Sequence, residues 1–121
     1  PECCFLDGEL AKRITCRAIQ ADPELNGIFV SSMGRRGVAK ALQETGTAGK
    51  IHMIIHDITP SNLSLVRQGI VDFVIGQDIE TQGTRPIQIL YEYLSNHQMP
   101  EQRIQLTDIS IKFRCNIPPE A

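Results

Sequence analysis

Polar side chains that form hydrogen bonds stand directly after three short apolar stretches of the sequence. The pairs are Ser31-Ser32, His56-Asp57 and Gln77-Asp78. If the apolar stretches are parallel strands of one sheet, these side chains project into a single crevice, because ligands of open α/β sheets bind beyond the carboxyl ends of the strands. The pattern predicts a binding site, although polar loops after strands are common.

Each of these residues also has a purely structural interpretation. Asp57 is placed to cap the following helix, although Thr59 competes for that role. Gln77 is able to satisfy a neighbouring backbone group, and Ser32 to be the N-cap of the second helix. The Arg35-Arg36 pair either binds an anion near the start of that helix or is a solvated pair on a loop.

Catalytic and metal-binding patterns have little support. His56 and Asp57 resemble a catalytic dyad, but adjacent strand residues point to opposite faces of a sheet. The sequence has no nucleophile elbow, dinucleotide-binding glycine pattern or zincin motif, and its four cysteines lack zinc-site spacing. The stretch 45–50 resembles a phosphate loop, but it precedes a strand. We therefore expect no enzyme activity, no metal and no cofactor.

The periodicity of apolar residues predicts the elements that position these groups. It indicates helices at 7–21, 37–45, 60–69 and 81–97 and strands at 27–30, 50–55, 73–75 and 109–115. Strands that alternate with helices of about ten or more residues predict a parallel sheet with right-handed crossovers. The inner strands are continuous apolar runs, as expected when helices cover both faces. The predicted fold class is α/β, a doubly wound parallel sheet flanked by helices, or half of one.

Bulk composition excludes several classes of protein. The 121 residues suffice for about one domain, and a net charge of −2 gives no reason to expect a nucleic-acid surface. No apolar run approaches the roughly 20 residues of a membrane span. The first residues lack an initiator Met and a signal-peptide core, so we expect a piece of a longer protein. Because nothing in the cysteine pattern suggests disulfides, we expect reduced thiols and a cytoplasmic location.

Three stretches of the chain together resemble the lactose-repressor (LacI) family, in its effector-binding domain. They are NGIFVSSMGRRGVAKALQETG, KIHMIIHDITPSNLSLVRQGIVDFVIGQDIETQGTRPIQILYEYL and TDISIKFRCNI, and the resemblance covers nearly all of residues 7–117. Its most specific parts are the strand ending in Asp57 before Thr59-Pro60, and Gln77-Asp78 followed by Gln82-Gly83. That domain shares its fold with periplasmic ribose-type sugar-binding proteins.

The resemblance implies one lobe of a two-lobed, periplasmic-binding-protein-like fold. Residues 1–121 would be the C-terminal portion of the effector-binding domain, without the N-terminal lobe and the DNA-binding domain. The resemblance implies that Asp57 and Gln77 bind sugar hydroxyls, which suits a carboxylate acceptor and an amide that donates and accepts. Ser32 lies near the position where the family often has a sugar-binding Asn, and Arg35 or Arg36 would compensate by binding an acidic sugar. The expected ligand-binding set is Asp57, Gln77, Ser32 and Arg36.

The function implied is that of a cytoplasmic, sugar-responsive transcription regulator. A small carbohydrate would shift lobe closure and so the affinity for DNA, which an upstream helix-turn-helix segment would hold. The alternative is a periplasmic sugar-binding protein of an ABC-type transporter. A receiver domain is disfavoured because Asp57 lacks an acidic cluster and a strand-end Lys.

The last helix predicts a further partner. In the LacI family the corresponding helix packs in the first lobe, and here it carries an apolar stripe. The stripe consists of Ile87, Leu90, Tyr91 and Leu94. We therefore expect a homodimer, with this stripe in the contact, and no membrane partner.

Overall fold

Helices and strands alternate along the chain in the computed structural model, which describes residues 3–4, 7–117 and 119. The elements are α1 (Gly8–Ala21), β1 (Gly27–Val30), α2 (Arg35–Glu44), β2 (His52–His56), α3 (Pro60–Arg67), β3 (Phe73–Gln77), α4 (Ile79–Asn96) and β4 (Ile109–Phe113). All eight coincide with predicted elements, with ends displaced by a few residues. The chain divides into two compact units, Pro1–Gly76 with Ile111–Ala121, and Gln77–Ser110.

The sheet runs in the order β1-β2-β3-β4. Strands β1 and β2 are parallel, with Gly27 opposite His52, and β2 and β3 are parallel, with Ile54 opposite Phe73. The carboxyl ends of these three strands therefore lie at one edge of the sheet. The predicted α/β class, with a mostly parallel sheet flanked by helices, is confirmed.

The core of the first unit lies on one face of this sheet. Met53, Ile55 and Val74 are fully buried, and their spacing along the strands puts them on the same side. They form one cluster with residues of three helices, among them Leu42 of α2 and Val66 of α3. Fully burying one such side chain stabilises the fold by about 1.5–3 kcal/mol, so this layer fixes where the strand ends lie.

Helix boundaries follow capping chemistry, with one correction. Asp7 accepts hydrogen bonds from the first turn of α1, and Thr59 caps α3, as predicted. Ser32 does not cap α2, because the N-cap is Gly34, whose φ of 90° lies in the left-handed region that favours glycine. Ser32 is instead an exposed residue in the bend after β1.

The buried residues of α1 are Ala11 and Thr15, whereas its apolar residues Leu10, Ile14 and Ala18 are only half-buried. This arrangement has a physical reason: α1 lies so close to α2 that only small side chains fit between them.

Gly37 marks the closest approach of these two helices. A Cβ atom at Gly37 would overlap the backbone carbonyl of Gly8, and neither backbone can move without displacing a helix. By contrast, a Cβ at Gly83 in α4 would meet nothing within 4 Å.

We expect Gly37→Ala to lower the free energy of unfolding by about 1–3 kcal/mol, because overpacking forces the helices apart. Gly83→Ala is the matched control, since it places the same methyl group in a helix without a clash. The control should be neutral or stabilise by up to about 1 kcal/mol. Thermal unfolding followed by circular dichroism measures both, and equal melting temperatures for the two variants would contradict the close approach.

The second unit contains α4, which has no buried residue. The predicted stripe is exposed: Ile87 by 70%, Leu90 by 56%, Tyr91 by 68% and Leu94 by 66%. An adjoining side of α4 and the segment 99–107 line an open groove of about 920 Å³. None of the helices in the described part of the chain has the length and apolar character needed to cross a membrane.

Candidate functional site

The end of β2 has an unusual backbone conformation. Asp57 has a φ of 71°, in the left-handed region, although it is not a glycine. This conformation costs an L-residue about 1–2 kcal/mol, and Asp and Asn tolerate it better than other side chains. The amide of Asp57 still donates to the carbonyl of Ile75, at 2.9 Å, so the turn begins where the ladder to β3 ends.

Two side chains from neighbouring helices hold this turn. Asn62 of α3 is 4% exposed, and its Nδ2 donates to the carbonyls of His56 at 3.1 Å and Asp57 at 2.7 Å. Arg35, the first residue of α2, donates from Nη1 to the same His56 carbonyl and to Oδ2 of Asp57, the latter at 2.7 Å. The backbone and the carboxylate of Asp57 are therefore positioned before any ligand arrives.

The carboxylate of Asp57 keeps one oxygen available. Oδ2 is bonded to Arg35, whereas Oδ1 has no hydrogen-bond partner within the described residues. The Asp57 side chain is 38% exposed and that of Arg35 14%, so the carboxylate opens to solvent and the guanidinium lies beneath it. The arrangement provides one fixed acceptor in a pair that carries no net charge.

The two arginines next to this site differ. Arg36, which was predicted to bind the ligand, is exposed, and its side chain makes no hydrogen bond or ion pair in the part of the chain that the structure describes. Arg35 makes the contact with Asp57. The order of the strands predicts that the first turn of α2 lies near Asp57, because β1 and β2 are adjacent and α2 follows the carboxyl end of β1. The rotation of the first helical turn decides between the two residues, and it is not readable from the sequence.

Asn62 was missed by the sequence analysis. It stands three residues after the N-cap Thr59, whose hydroxyl accepts from its amide at 3.2 Å. Its position in the sequence could have identified it, because a polar residue on the inward side of a short helix needs a buried hydrogen-bond partner. Here the partners are the two carbonyls at the end of β2.

Gln77 and Asp78 have separate roles. Gln77 is the last residue of β3 and the first of the second unit, and it is exposed. Asp78 is the N-cap of α4, where its Oδ1 accepts from the amide of Thr81 at 3.0 Å. Hydrogen bonds from the side chain and backbone of Thr81 lower the pKa of Asp78 below its ordinary value.

His56 and Asp57 do not form a catalytic dyad. The ring of His56 lies edge-on to Phe29, with centroids 5.4 Å apart, and its Nδ1 is buried without a partner among the described residues. No group of three or more His, Cys, Asp or Glu residues in the described ranges could hold a metal ion. The arrangement at Asp57 suits the binding of hydroxyl groups.

A model of the periplasmic binding protein domain matches residues 2–98 of this chain. The chain belongs to the periplasmic binding protein family. This membership agrees with the parallel sheet and with the position of Asp57 at its carboxyl edge. No curated protein sequence matches the chain significantly.

Several solved structures of similar fold are described as solute-binding or sugar-binding proteins. An ABC transporter solute-binding protein from Agrobacterium vitis with bound D-fucose is 23% identical, with a TM-score of 0.82, over 96% of this chain and 40% of that chain. GanP, a glucose-galactose binding protein from Geobacillus stearothermophilus, is 15% identical, with a TM-score of 0.84, over 96% and 41%. A sugar-binding protein of a sugar ABC transporter from Bacillus halodurans is 23% identical, with a TM-score of 0.78, over 92% and 42%. The chain thus spans about 40% of the length of these structures.

We expect Asn62→Ala to destabilise the protein by about 1–3 kcal/mol, because it removes the two hydrogen bonds that Nδ2 of Asn62 donates to the carbonyls of His56 and Asp57, each worth about 0.5–1.5 kcal/mol. Asn26→Ala is the matched control, since Asn26 is exposed and, among the described residues, hydrogen-bonds only through its backbone carbonyl, to the amide of His52. Urea unfolding measures both free energies. If Asn62→Ala behaves like the control, Asn62 does not hold the turn at Asp57.

Proposed function

We propose that this chain is a sugar-binding lobe of a solute receptor that serves an ABC-type transporter. The observation that carries the proposal is the prepositioned, part-exposed carboxylate of Asp57 at the carboxyl edge of a parallel sheet, whose Oδ1 has no partner among the residues that the structure describes. Family membership supports it, and so does the fold similarity to proteins described as sugar-binding components of transporters. The ligand is a small carbohydrate, and the activity is binding without chemical conversion.

Binding follows from the donors and acceptors of the strand ends. Oδ1 of Asp57 accepts from one sugar hydroxyl. Gln77, the last residue of β3, is a separate candidate for sugar binding, because its side-chain amide both donates and accepts. Ser32 adds a hydroxyl at the end of β1. The chain spans about 40% of the length of the similar proteins, so these groups make up part of a complete site. The remaining wall comes from another part of the protein, and closure around the sugar shifts the protein between two states.

A LacI-type transcription regulator is the second candidate. The resemblance of Asp57 before Thr59-Pro60, and of Gln77-Asp78 followed by Gln82-Gly83, to that family favours it. All four cysteines are free thiols, which agrees with a cytoplasmic protein. In this reading sugar binding changes the affinity for DNA through an upstream helix-turn-helix segment. Residues upstream of Pro1 in the full-length protein discriminate the two candidates, since a receptor requires a signal peptide there and a regulator requires a helix-turn-helix.

Loss of either strand-end side chain should weaken sugar binding by the intact protein. The panel is D-fucose, D-galactose and D-glucose, measured by thermal shift and calorimetry. Asp57→Ala and Gln77→Ala should each raise the Kd of the best sugar about 10–100-fold, the loss of about 1.4–3 kcal/mol of hydrogen bonding. Asp108→Ala and Gln88→Ala are matched controls, because both residues are exposed and lack side-chain hydrogen bonds within the described residues. If neither test variant weakens binding, the site assignment is wrong.

The exposed stripe on α4 supports a homodimer as part of this proposal. Four large apolar side chains on one helix form a surface that water solvates poorly. We expect sedimentation equilibrium of this chain to give the mass of a dimer and Leu90→Glu to give a monomer. Gln88→Glu adds the same charge to the same helix and should leave the dimer intact. A wild-type monomer would contradict this contact.

A further inference from the structure

We propose that the ion pair between Arg35 and Asp57 sets the charge selectivity of the site, so that the site takes a neutral diol and rejects an acidic sugar. The inference rests on the proposed function and goes beyond it, because it names the ligand class and assigns the selectivity to the pairing of Arg35 with Asp57. It also reverses the expectation that an arginine here would attract an acid. Arg35 is not free to do so, since its charge is already matched by Asp57.

The pairing of Arg35 is fixed from two sides. Its Nη1 donates to the carbonyl of His56 and to Oδ2 of Asp57, and its side chain is 14% exposed. A guanidinium held this deeply stays paired, because leaving it unpaired in a poorly solvated position costs more than an exposed ion pair gains. No other ionisable group contacts Asp57 within the described residues. The site is therefore neutral as a unit.

The remaining hydrogen-bonding groups match two neighbouring hydroxyls. Oδ1 of Asp57 accepts from one. Nη2 of Arg35 has the sulfur of Met33 as its contact, at 3.9 Å, and a thioether is a weak acceptor. Met33 is 51% exposed and its side chain is flexible, so a hydroxyl oxygen can replace the sulfur. One hydroxyl that donates to Asp57 and one that accepts from Arg35 are what a vicinal diol offers.

An acidic sugar would bring a second negative group to a site that has only one positive group. Its carboxylate would approach Oδ1, which has no proton to donate, and Arg35 could neutralise only one of the two negative groups. Like charges brought together in a partly desolvated cleft repel strongly. The same reasoning predicts what happens when one partner loses its charge: without the Asp57 charge the site becomes positive, and without the Arg35 charge it becomes negative.

The test compares D-galactose with D-galacturonate, which differ only in an alcohol or a carboxylate at C6. Calorimetry on the intact protein gives the ratio of their Kd values for the wild type, Asp57→Asn and Arg35→Gln. We expect the wild type to prefer galactose at least about tenfold. Asp57→Asn keeps the shape and the left-handed turn and should shift the ratio toward galacturonate by about tenfold or more. Arg35→Gln should shift it further toward galactose.

If Asp57→Asn and Arg35→Gln shift the ratio of the two Kd values in opposite directions, the ion pair selects the ligand by charge and does not have only a structural role. If Arg35 only holds α2 against β2, both variants weaken both sugars by the same factor and the ratio stays constant, which overturns the inference while the proposed function stands. Failure of the wild type to bind any neutral sugar overturns the proposed function and the charge selection with it.

A measurement without sugar tests the ion pair itself. The melting temperatures of Arg35→Gln, Asp57→Asn and the double variant are compared with that of the wild type. Since each single variant leaves its partner unmatched, the double variant should lose less than the sum of the two single losses. Additive losses would show that Arg35 and Asp57 act independently, and the inference would be wrong.

Discussion

The carbonyl oxygen of His56 accepts hydrogen bonds from side chains on two different helices, and the geometry of the candidate site depends on this point. Arg35 reaches it from α2 and Asn62 from α3. Both donors then continue to Asp57, one to its carboxylate and the other to its carbonyl. The position of the carboxylate thus follows from the packing of α2 and α3, which the buried layer of Leu42, Val66 and the strands fixes.

The order of the elements was predictable because it depends on local pattern. The strands are short apolar runs, the helices have apolar residues at helical spacing, and residues such as Thr59 mark helix starts chemically. The predicted capping of α2 by Ser32 was wrong, because Gly34 adopts the left-handed conformation that begins the helix. The close packing of α1 against α2 at Gly37 depends on a contact between elements, which leaves no signature in either helix alone.

In the candidate site, too, local pattern was predictable from the sequence and contacts between elements were not. The position of Asp57 follows from the strand pattern, but its partners do not. Arg35 and Asn62 lie 22 and 5 positions from it, on separate helices, and join it only because the parallel strands place the starts of those helices together. The apolar stripe of α4 is a related case. Helical periodicity identifies the stripe and not its partner, because the partner is set by tertiary or quaternary contacts.

The proposed role of Asp57 in binding would account for its strained backbone. A glycine would adopt a φ of 71° without cost, and the loop would close as well. The chain instead has an Asp, which carries a penalty of about 1–2 kcal/mol, and two side chains that stabilise it in place. A turn that only connected β2 to α3 would need neither the carboxylate nor the guanidinium beneath it. The carboxylate has a use if it must be in position, with one oxygen free, before the ligand enters.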